Sequence, residues 1–285
     1  MNPWMNGIGD STLISDINIP GTHDSCAKHV ALHHLTKCQN KYISELLDMG
    51  VRLFDIRIRK QDDNIIIVHA VIVCKKHPFG KPILFDDVLD TCRDFLTKNP
   101  SETVILSIKR DSGPDDISTY KFFHEKYVRG NSLWYTGASV PTLGEVRGKL
   151  VLFNRNRTEN FEKDEAGLDF GSWEEMSKEE IGNPVFRKFS LTGEEFVIQD
   201  LYKSHPADKW KAVLSLLNAT LPEKLLTVNF LSGNDTIHSP RVYSRYINRK
   251  FMNYPLTSGK KYGWLLLDYA NSKLIDKIVT SNKRK

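Results

Sequence analysis

Eight short apolar runs, spread over the whole chain and mostly separated by helix-like stretches, are the feature that most narrows what this sequence can fold into. They lie at 16–20, 51–58, 65–69, 103–109, 150–154, 196–201, 225–231 and 263–269. Most are continuous in Val, Ile, Leu and Phe rather than alternating with polar residues, the pattern of strands buried on both faces. The stretches at 43–49, 85–98, 117–128, 207–218, 241–252 and 273–279 are amphipathic, as helices covering such a sheet must be. Asn99-Pro100 stops the second of them, because the residue before a proline is driven out of the α region. Alternation of this kind predicts a single α/β domain over residues 1–285, an irregular (β/α)8 TIM-type barrel. The 285 residues are close to the roughly 250 that one such barrel needs.

One junction breaks the alternation. Only residues 59–64 separate the second and third runs, whereas a parallel crossover needs about a dozen residues or more. A reverse turn around Asp62-Asp63-Asn64 is expected instead, with no helix at this point. It would make Arg57 and His69 cross-strand neighbours. The segment 157–188 is polar and poorly periodic and reads as a long loop with a helical turn or two. Residues 281–285 read as a frayed basic tail.

The bulk properties exclude several classes. No run of about 18 apolar residues is present, so no transmembrane helix is expected. The N-terminus lacks a basic segment followed by an apolar core, so it does not read as a secretory leader. The expectation is a soluble chain, either secreted as a mature form or cytoplasmic. Four cysteines are too few and too scattered for a disulfide scaffold, and the spacing of Cys26, His29, His33 and Cys38 fits no structural zinc pattern. A net charge of +5 suits an anionic surface or a phosphate-bearing substrate, but a solvated surface explains it as well.

Chemistry in such a barrel sits at the C-terminal ends of the strands. His23, Asp24, Asp55, Arg57, His69, Lys109, Arg155, Asp200, Tyr202 and Asp268 all fall at or just past such ends. Two histidines, an arginine and several aspartates supply a proton acceptor, a proton donor and a fixed positive charge, as general acid–base attack on a phosphodiester requires. His23 follows the turn Pro20-Gly21-Thr22 and reads as the base. Asp268 closes the apolar run Trp264-Leu265-Leu266-Leu267, where a carboxylate is costly unless paired, and a histidine ring is its expected partner. His29, His33, His34, His77, His124, His205 and His238 lack such support and read as surface or loop residues.

The stretches Ile19-Pro20-Gly21-Thr22-His23-Asp24-Ser25 and Phe54-Asp55-Ile56-Arg57 resemble the catalytic motifs of bacterial-type phosphatidylinositol-specific phospholipase C. The resemblance continues through Asn99-Pro100-Ser101-Glu102-Thr103, Ser107-Ile108-Lys109, Leu152-Phe153-Asn154-Arg155, Gln199-Asp200-Leu201-Tyr202 and Leu267-Asp268-Tyr269. It covers most of the chain and is strongest over residues 14 to 110. It implies a distorted (β/α)8 barrel that cleaves phosphatidylinositol in membranes to diacylglycerol and inositol 1,2-cyclic phosphate. In that scheme His23 takes the proton of the inositol 2-hydroxyl and His69 protonates the leaving diacylglycerol oxygen. Arg57 stabilises the phosphoryl charge, Asp268 orients His23 and Asp24 supports the acid. Lys109, Arg155 and Asp200 bind inositol hydroxyls and Tyr202 stacks on the ring. Apart from the resemblance, Asp55 and Arg57 share one strand face, so they either pair with each other or both point at the phosphate, with Asp55 part of the substrate site.

The sequence departs from the family pattern at the acid. Bacterial members often carry two adjacent histidines at the third strand; here His69 is followed by Ala70. Counting without gaps from Arg57 sets the acid against Ala70, so the use of His69 needs a shift of one residue. Metal-dependent relatives place an asparagine after the first histidine and acidic residues in the second motif. Here Asp24 and Arg57 stand there, and a guanidinium replaces a cation's charge. The resemblance therefore implies no metal, no cofactor and, for a self-contained barrel, a monomer that binds no nucleic acid. Val71-Ile72-Val73 and Phe79, flanked by Lys75, Lys76 and Lys81, or else Trp134-Tyr135, are expected at the membrane. The alternatives are a barrel phosphodiesterase acting on another lipid or on glycosylphosphatidylinositol anchors, and a non-catalytic inositide-binding module.

Overall fold

The computed structural model describes residues 3–114, 116–156, 165–170, 173, 176–182, 186–189, 191–235 and 237–283. In chain order the strands are β1 Ile19–Thr22, β2 Leu53–Gln61, β3 Asn64–His69, β4 Ile72–Val73, β5 Val104–Arg110 and β6 Trp134–Tyr135. They continue as β7 Leu150–Asn154, β8 Leu168–Asp169, β9 Phe186–Lys188, β10 Glu195–Gln199, β11 Leu226–Phe230 and β12 Trp264–Leu267. Parallel ladders join β10, β11, β12, β1, β2, β5, β7 and β8 in that spatial order. These eight are the barrel. β7 is shared along its edge, with β6 beside its N-terminal end and β8 beside its C-terminal end.

Seven of the eight apolar runs become barrel strands. The third does not. β3 folds back antiparallel on β2, with Gln61 opposite Asn64 and Asp62 in the left-handed region at φ 52°, and then pairs with β4. The connection is too short for a crossover, so the hairpin leaves the barrel wall. The missing parallel strand comes from the segment 157–188, expected as a loop. It supplies β8, a 3-10 turn at Lys178–Glu180 and β9; residues 157–164, 171, 172, 174, 175 and 183–185 lie outside the described residues. A two-residue strand carries too little periodicity to be read from sequence.

The helices Ile43–Met49 and Phe85–Lys98 have the expected bounds, and the later ones agree to within a residue. The stretch 117–128 begins as the α-helix Asp116–Phe123 and ends as a π turn, His124–Val128. His124, expected at the surface, is buried there, with its Nε2 2.9 Å from the Glu165 carbonyl. The C-terminal segment is also better held than a frayed tail. The Asn18 side chain donates to Ser281 Oγ, and the Asn282 side chain accepts from the Asn18 amide. Residues 284 and 285 lie outside the described set.

Both faces of the barrel wall are dry. Leu53, Ile105, Val151, Ile198, Val228 and Leu266 pack inside, while Phe54, Leu106, Leu152 and Leu265 pack outward in the helix layer. At Gly21 a Cβ would lie 3.0 Å from Leu53 and 3.1 Å from Leu266. A side chain at this interior position of β1 would therefore force the neighbouring strands apart.

Beneath the barrel a fully buried ion pair joins three segments. Arg52 donates from Nε to Glu102 Oε2 at 2.8 Å and from its guanidinium to the carbonyls of Leu47 and Val51. Glu102 Oε1 accepts the Met5 amide at 2.9 Å. Removing one partner strands the other charge in the interior. Glu102→Ala should therefore lose about 3–5 kcal/mol of stability in urea melts; a loss under about 1 kcal/mol would show that water reaches Arg52.

Candidate active site

Strand side chains alternate, so an inward core residue predicts what its strand offers two positions later. Gly21 leads to His23, and Leu53 leads to Asp55 and then Arg57. Ile105 leads through Ser107 to Lys109, Val151 through Phe153 to Arg155, Ile198 through Asp200 to Tyr202, and Leu266 to Asp268. With His69 from the β3–β4 hairpin, most of these residues line one cavity of about 330 Å³ at the barrel mouth; Asp111, Phe170, Trp173 and Phe230 complete its wall. Of the sequence-predicted residues, His23, Asp24, Arg57, His69, Lys109, Arg155, Asp200 and Tyr202 face the cavity. Asp55 and Asp268 lie behind them, fully or almost fully buried and paired with residues that do.

His23 is the hub. Its Nδ1 lies 3.0 Å from Asp268 Oδ1 and its Nε2 3.3 Å from Asp24 Oδ2. Burial alone would favour the neutral ring, but the flanking carboxylates of Asp24 and Asp268 outweigh it and push the pKa up to about 9. The same Asp24 Oδ2 lies 3.3 Å from His69 Nε2. His69 Nδ1 lies 2.7 Å from the Thr36 carbonyl, an acceptor only, so Nδ1 carries a proton and Nε2 faces the carboxylate. The two rings thus meet one carboxylate from opposite sides. His23, His69 and Asp268 are each followed by a residue with a left-handed backbone: Asp24 at φ 39°, Ala70 at 52° and Tyr269 at 49°. Three strained positions at the strand ends turn the chain sharply behind each of these side chains.

Arg57 is wrapped in carboxylates. It donates to both Asp55 oxygens at 2.9–3.0 Å and to Asp111 Oδ1 at 3.1 Å, and its Nε is 3.7 Å from Asp24 Oδ1. Arg57 and His69 therefore meet through Asp24 rather than as a cross-strand pair; the β2–β3 ladder reaches only Ile58 opposite Ile67. Burial opposes charge on Asp55, yet the guanidinium groups of Arg57 and Arg155 hold its carboxyl well below the usual range. Arg155 sits 3.7 Å from the Trp173 ring centroid and 3.4 Å from Asp55; burial and the neighbouring Arg57 bring it down to about 10. Burial, Arg57 and Arg155 also lower Lys109. Arg57, Lys109 and Arg155 thus gather at the cavity, each with a carboxylate within 4 Å.

Several working residues had no sequence signal strong enough to single them out. Asp111 lies one alternation past Lys109 and pairs with Arg57. Gln39 donates to the carbonyls of His23 and Leu267 at 2.8 and 2.9 Å, locking the ends of β1 and β12 together. Lys209, wholly buried, reaches Gln199 Oε1 and the Leu201 carbonyl from the helix Pro206–Asn218 and secures the segment bearing Asp200 and Tyr202; burial lowers it to about 7.

Among the described residues, His23, Asp24 and Cys38 place one ligand atom each within 4.8 Å of one another. They suit a metal poorly. The flanking carboxylates raise the His23 pKa, burial raises the Cys38 thiol well above its ordinary range, and Arg57 lies beside the one carboxylate. The sequence neighbours Cys26, His29 and His33 are not part of this group.

A parallel α/β barrel whose mouth joins two histidines and a caged arginine holds the proton-transfer groups and fixed positive charge that attack on a phosphodiester requires. Comparison with known proteins narrows the class. Residues 17–156 match the family model of the phosphatidylinositol-specific phospholipase C X domain. A 1-phosphatidylinositol phosphodiesterase of Staphylococcus aureus (strain Newman) is 32% identical over 98% of this chain and 94% of its own length. One of Listeria monocytogenes is 27% identical over 98% of this chain and 84% of its own. A solved structure of the S. aureus phosphatidylinositol-specific phospholipase C superposes with a TM-score of 0.83, at 28% identity, over 99% of this chain and 98% of that one. The Listeria monocytogenes structure gives 0.77 at 26% identity, over the same shares. The chain belongs to the bacterial phosphatidylinositol-specific phospholipase C family.

The raised His23 pKa has a consequence for stability. Because the folded value lies above the unfolded value of 6.5, its contribution is fully present below pH 6.5 and is lost as pH rises through about 9. The wild type should lose on the order of 3 kcal/mol between pH 6 and 10 relative to His23→Gln, read as converging urea midpoints. Parallel curves for the two proteins would refute the raised pKa.

Proposed function

We propose that this barrel is a phosphatidylinositol-specific phospholipase C that works by metal-independent general acid–base catalysis. The observation that carries the reading is the pair of histidine rings set about the single Asp24 carboxylate, with Arg57 beside it. In the reactive form the His23 ring is neutral, and its Nε2, the nitrogen not engaged by Asp268, takes the proton of the inositol 2-hydroxyl. Its oxygen attacks the adjacent phosphorus and forms the 1,2-cyclic ester. The phosphorus bond to the diacylglycerol oxygen breaks, and that oxygen takes the proton from His69 Nε2. Nucleophile and phosphate share one ring, so their effective concentration is already high. What remains for the protein is proton transfer and charge stabilisation. Asp268 orients His23, and Asp24 gives His69 Nε2 a partner until the leaving oxygen replaces it. Arg57, held by Asp55, supplies the positive charge for the phosphoryl oxygens that a metal ion would otherwise provide.

Lys109, Arg155 and Asp200 are assigned to inositol hydroxyls and Tyr202 to the face of the ring. A site that supplies fixed hydrogen-bonding partners rejects head groups that lack the matching hydroxyls by large factors. In a turnover assay on phosphatidylinositol vesicles, His23→Ala and His69→Ala should each lose at least about a hundredfold in kcat. If His69→Ala kept near-normal turnover, another group would be the acid; the inositide-binding alternative would gain if the wild type bound the vesicles without turning over.

Membrane access fits the exposed apolar side chains of the β3–β4 hairpin and the loops beside it. Val71 adjoins cavity-lining Ala70 and is 72% exposed; Phe79 is 98% exposed, and Leu32 and Leu35 flank the Thr36 carbonyl that holds His69. Trp134-Tyr135 does not serve: Trp134 is buried and donates to the Tyr127 carbonyl at the opposite end of β7. Among the described residues no helix is long and apolar enough to cross a membrane. Phe79→Ser should reduce turnover several-fold more on vesicles than on a monomeric short-chain substrate; equal effects on both would remove Phe79 from the interface.

A further inference from the structure

We infer that Asp111 is the positioning residue that sets His69 in register with Arg57, binding the proton donor and the phosphate-charge group into one rigid unit. The inference rests on the assignment of His69 as the acid. Its ground is a set of contacts from the end of β5. Asp111 Oδ1 accepts from the Arg57 guanidinium at 3.1 Å, and Asp111 Oδ2 accepts the Ala70 amide at 2.8 Å. The next residue completes the hold: Ser112 Oγ donates to the Ala70 carbonyl at 2.8 Å. Both polar groups of Ala70 are therefore held from a strand that is not part of its own hairpin.

That hold matters because Ala70 has a φ of 52°, a conformation that residues other than glycine resist. His69 pairs with Ile72 across this two-residue turn, so any relaxation at Ala70 rotates the ring beside it. The hairpin lies outside the barrel wall, and the wall cannot fix its tip. A second tie, from Arg59 to the Val71 carbonyl at 3.3 Å, is longer and exposed. Burial opposes charge on Asp111, but Arg57, Lys109 and the Ala70 amide keep its carboxyl below the usual range, so it stays an acceptor at both oxygens. The arrangement also accounts for the single histidine at this hairpin. The left-handed turn held by Asp111 and Ser112 aims His69 at Asp24 while Ala70 contributes only backbone.

The test separates positioning of the acid from a general structural role. An acid matters when the leaving group is a poor one, such as the diacylglycerol oxygen, and little when it departs unaided. Asp111→Ala and Ser112→Ala are assayed on phosphatidylinositol in detergent micelles and on an inositol phosphodiester with 4-nitrophenol as leaving group. Asp111→Ala should lose roughly 10- to 100-fold in kcat on phosphatidylinositol, the scale of a misplacement of about 1 Å, with a loss at least tenfold smaller on the nitrophenyl ester. Combined with His69→Ala it should cost phosphatidylinositol turnover little more. Ser112→Ala, which leaves Arg57 untouched, should show the same leaving-group selectivity at smaller amplitude, and it carries the test alone if Asp111→Ala fails to fold. Equal losses on the two substrates, or full additivity with His69→Ala, would overturn the inference. A wild type inert on both substrates would instead overturn the phospholipase reading on which it rests.

Discussion

The two-residue alternation of strand side chains is the constraint on which the site depends. The apolar residue that packs the barrel interior decides which face the residue two places later will take. Leu53, Ile105, Val151, Ile198 and Leu266 fill the inside of the barrel, and Arg57, Lys109, Arg155, Tyr202 and Asp268 follow on the same face at the mouth. A one-residue slip in any strand would turn a core residue outward and remove a site residue at once. Packing and chemistry are therefore specified by the same register. Gly21 shows how tightly: the close approach of Leu53 and Leu266 that excludes a side chain there also brings His23 to Asp268.

Charge is the second theme. Buried ions are tolerated only when paired, and here nearly every cation at the mouth has a carboxylate at hand. Asp55 bridges Arg57 and Arg155, Asp111 bridges Arg57 and Lys109, and Asp24 joins the two histidines. These pairs hold the side chains fixed before substrate arrives, so the orientation of the charges does not have to be created during reaction. In the proposed mechanism the substrate phosphate competes with Asp24 for His23, His69 and Arg57.

The barrel and the direct site were largely legible because both are written in local patterns. Continuous apolar runs gave the parallel strands, and His23, Asp55, Arg57, Arg155 and Asp268 stand at strand ends where position alone is informative. The short link at 59–64 was enough to expect the hairpin and to bring His69 toward the site. What stayed illegible depends on tertiary context. β8 has two residues and owes its place to the edge of β7. Asp111, Gln39 and Lys209 are ordinary polar residues until the fold sets them against Ala70, the β1 and β12 ends, and the β10 end. Exposure of Phe79 and burial of Trp134 likewise follow from where the chain goes, since both are large and apolar. His124 became a core residue because its π turn lies against the Glu165 carbonyl.

The most direct test of the acid–base account is phosphorus NMR of phosphatidylinositol vesicles incubated with the protein in excess EDTA. A growing signal of inositol 1,2-cyclic phosphate, absent with His23→Ala, is the expected result. A signal that appears only when calcium is added would contradict the role given to Arg57 and, with it, the metal-free mechanism.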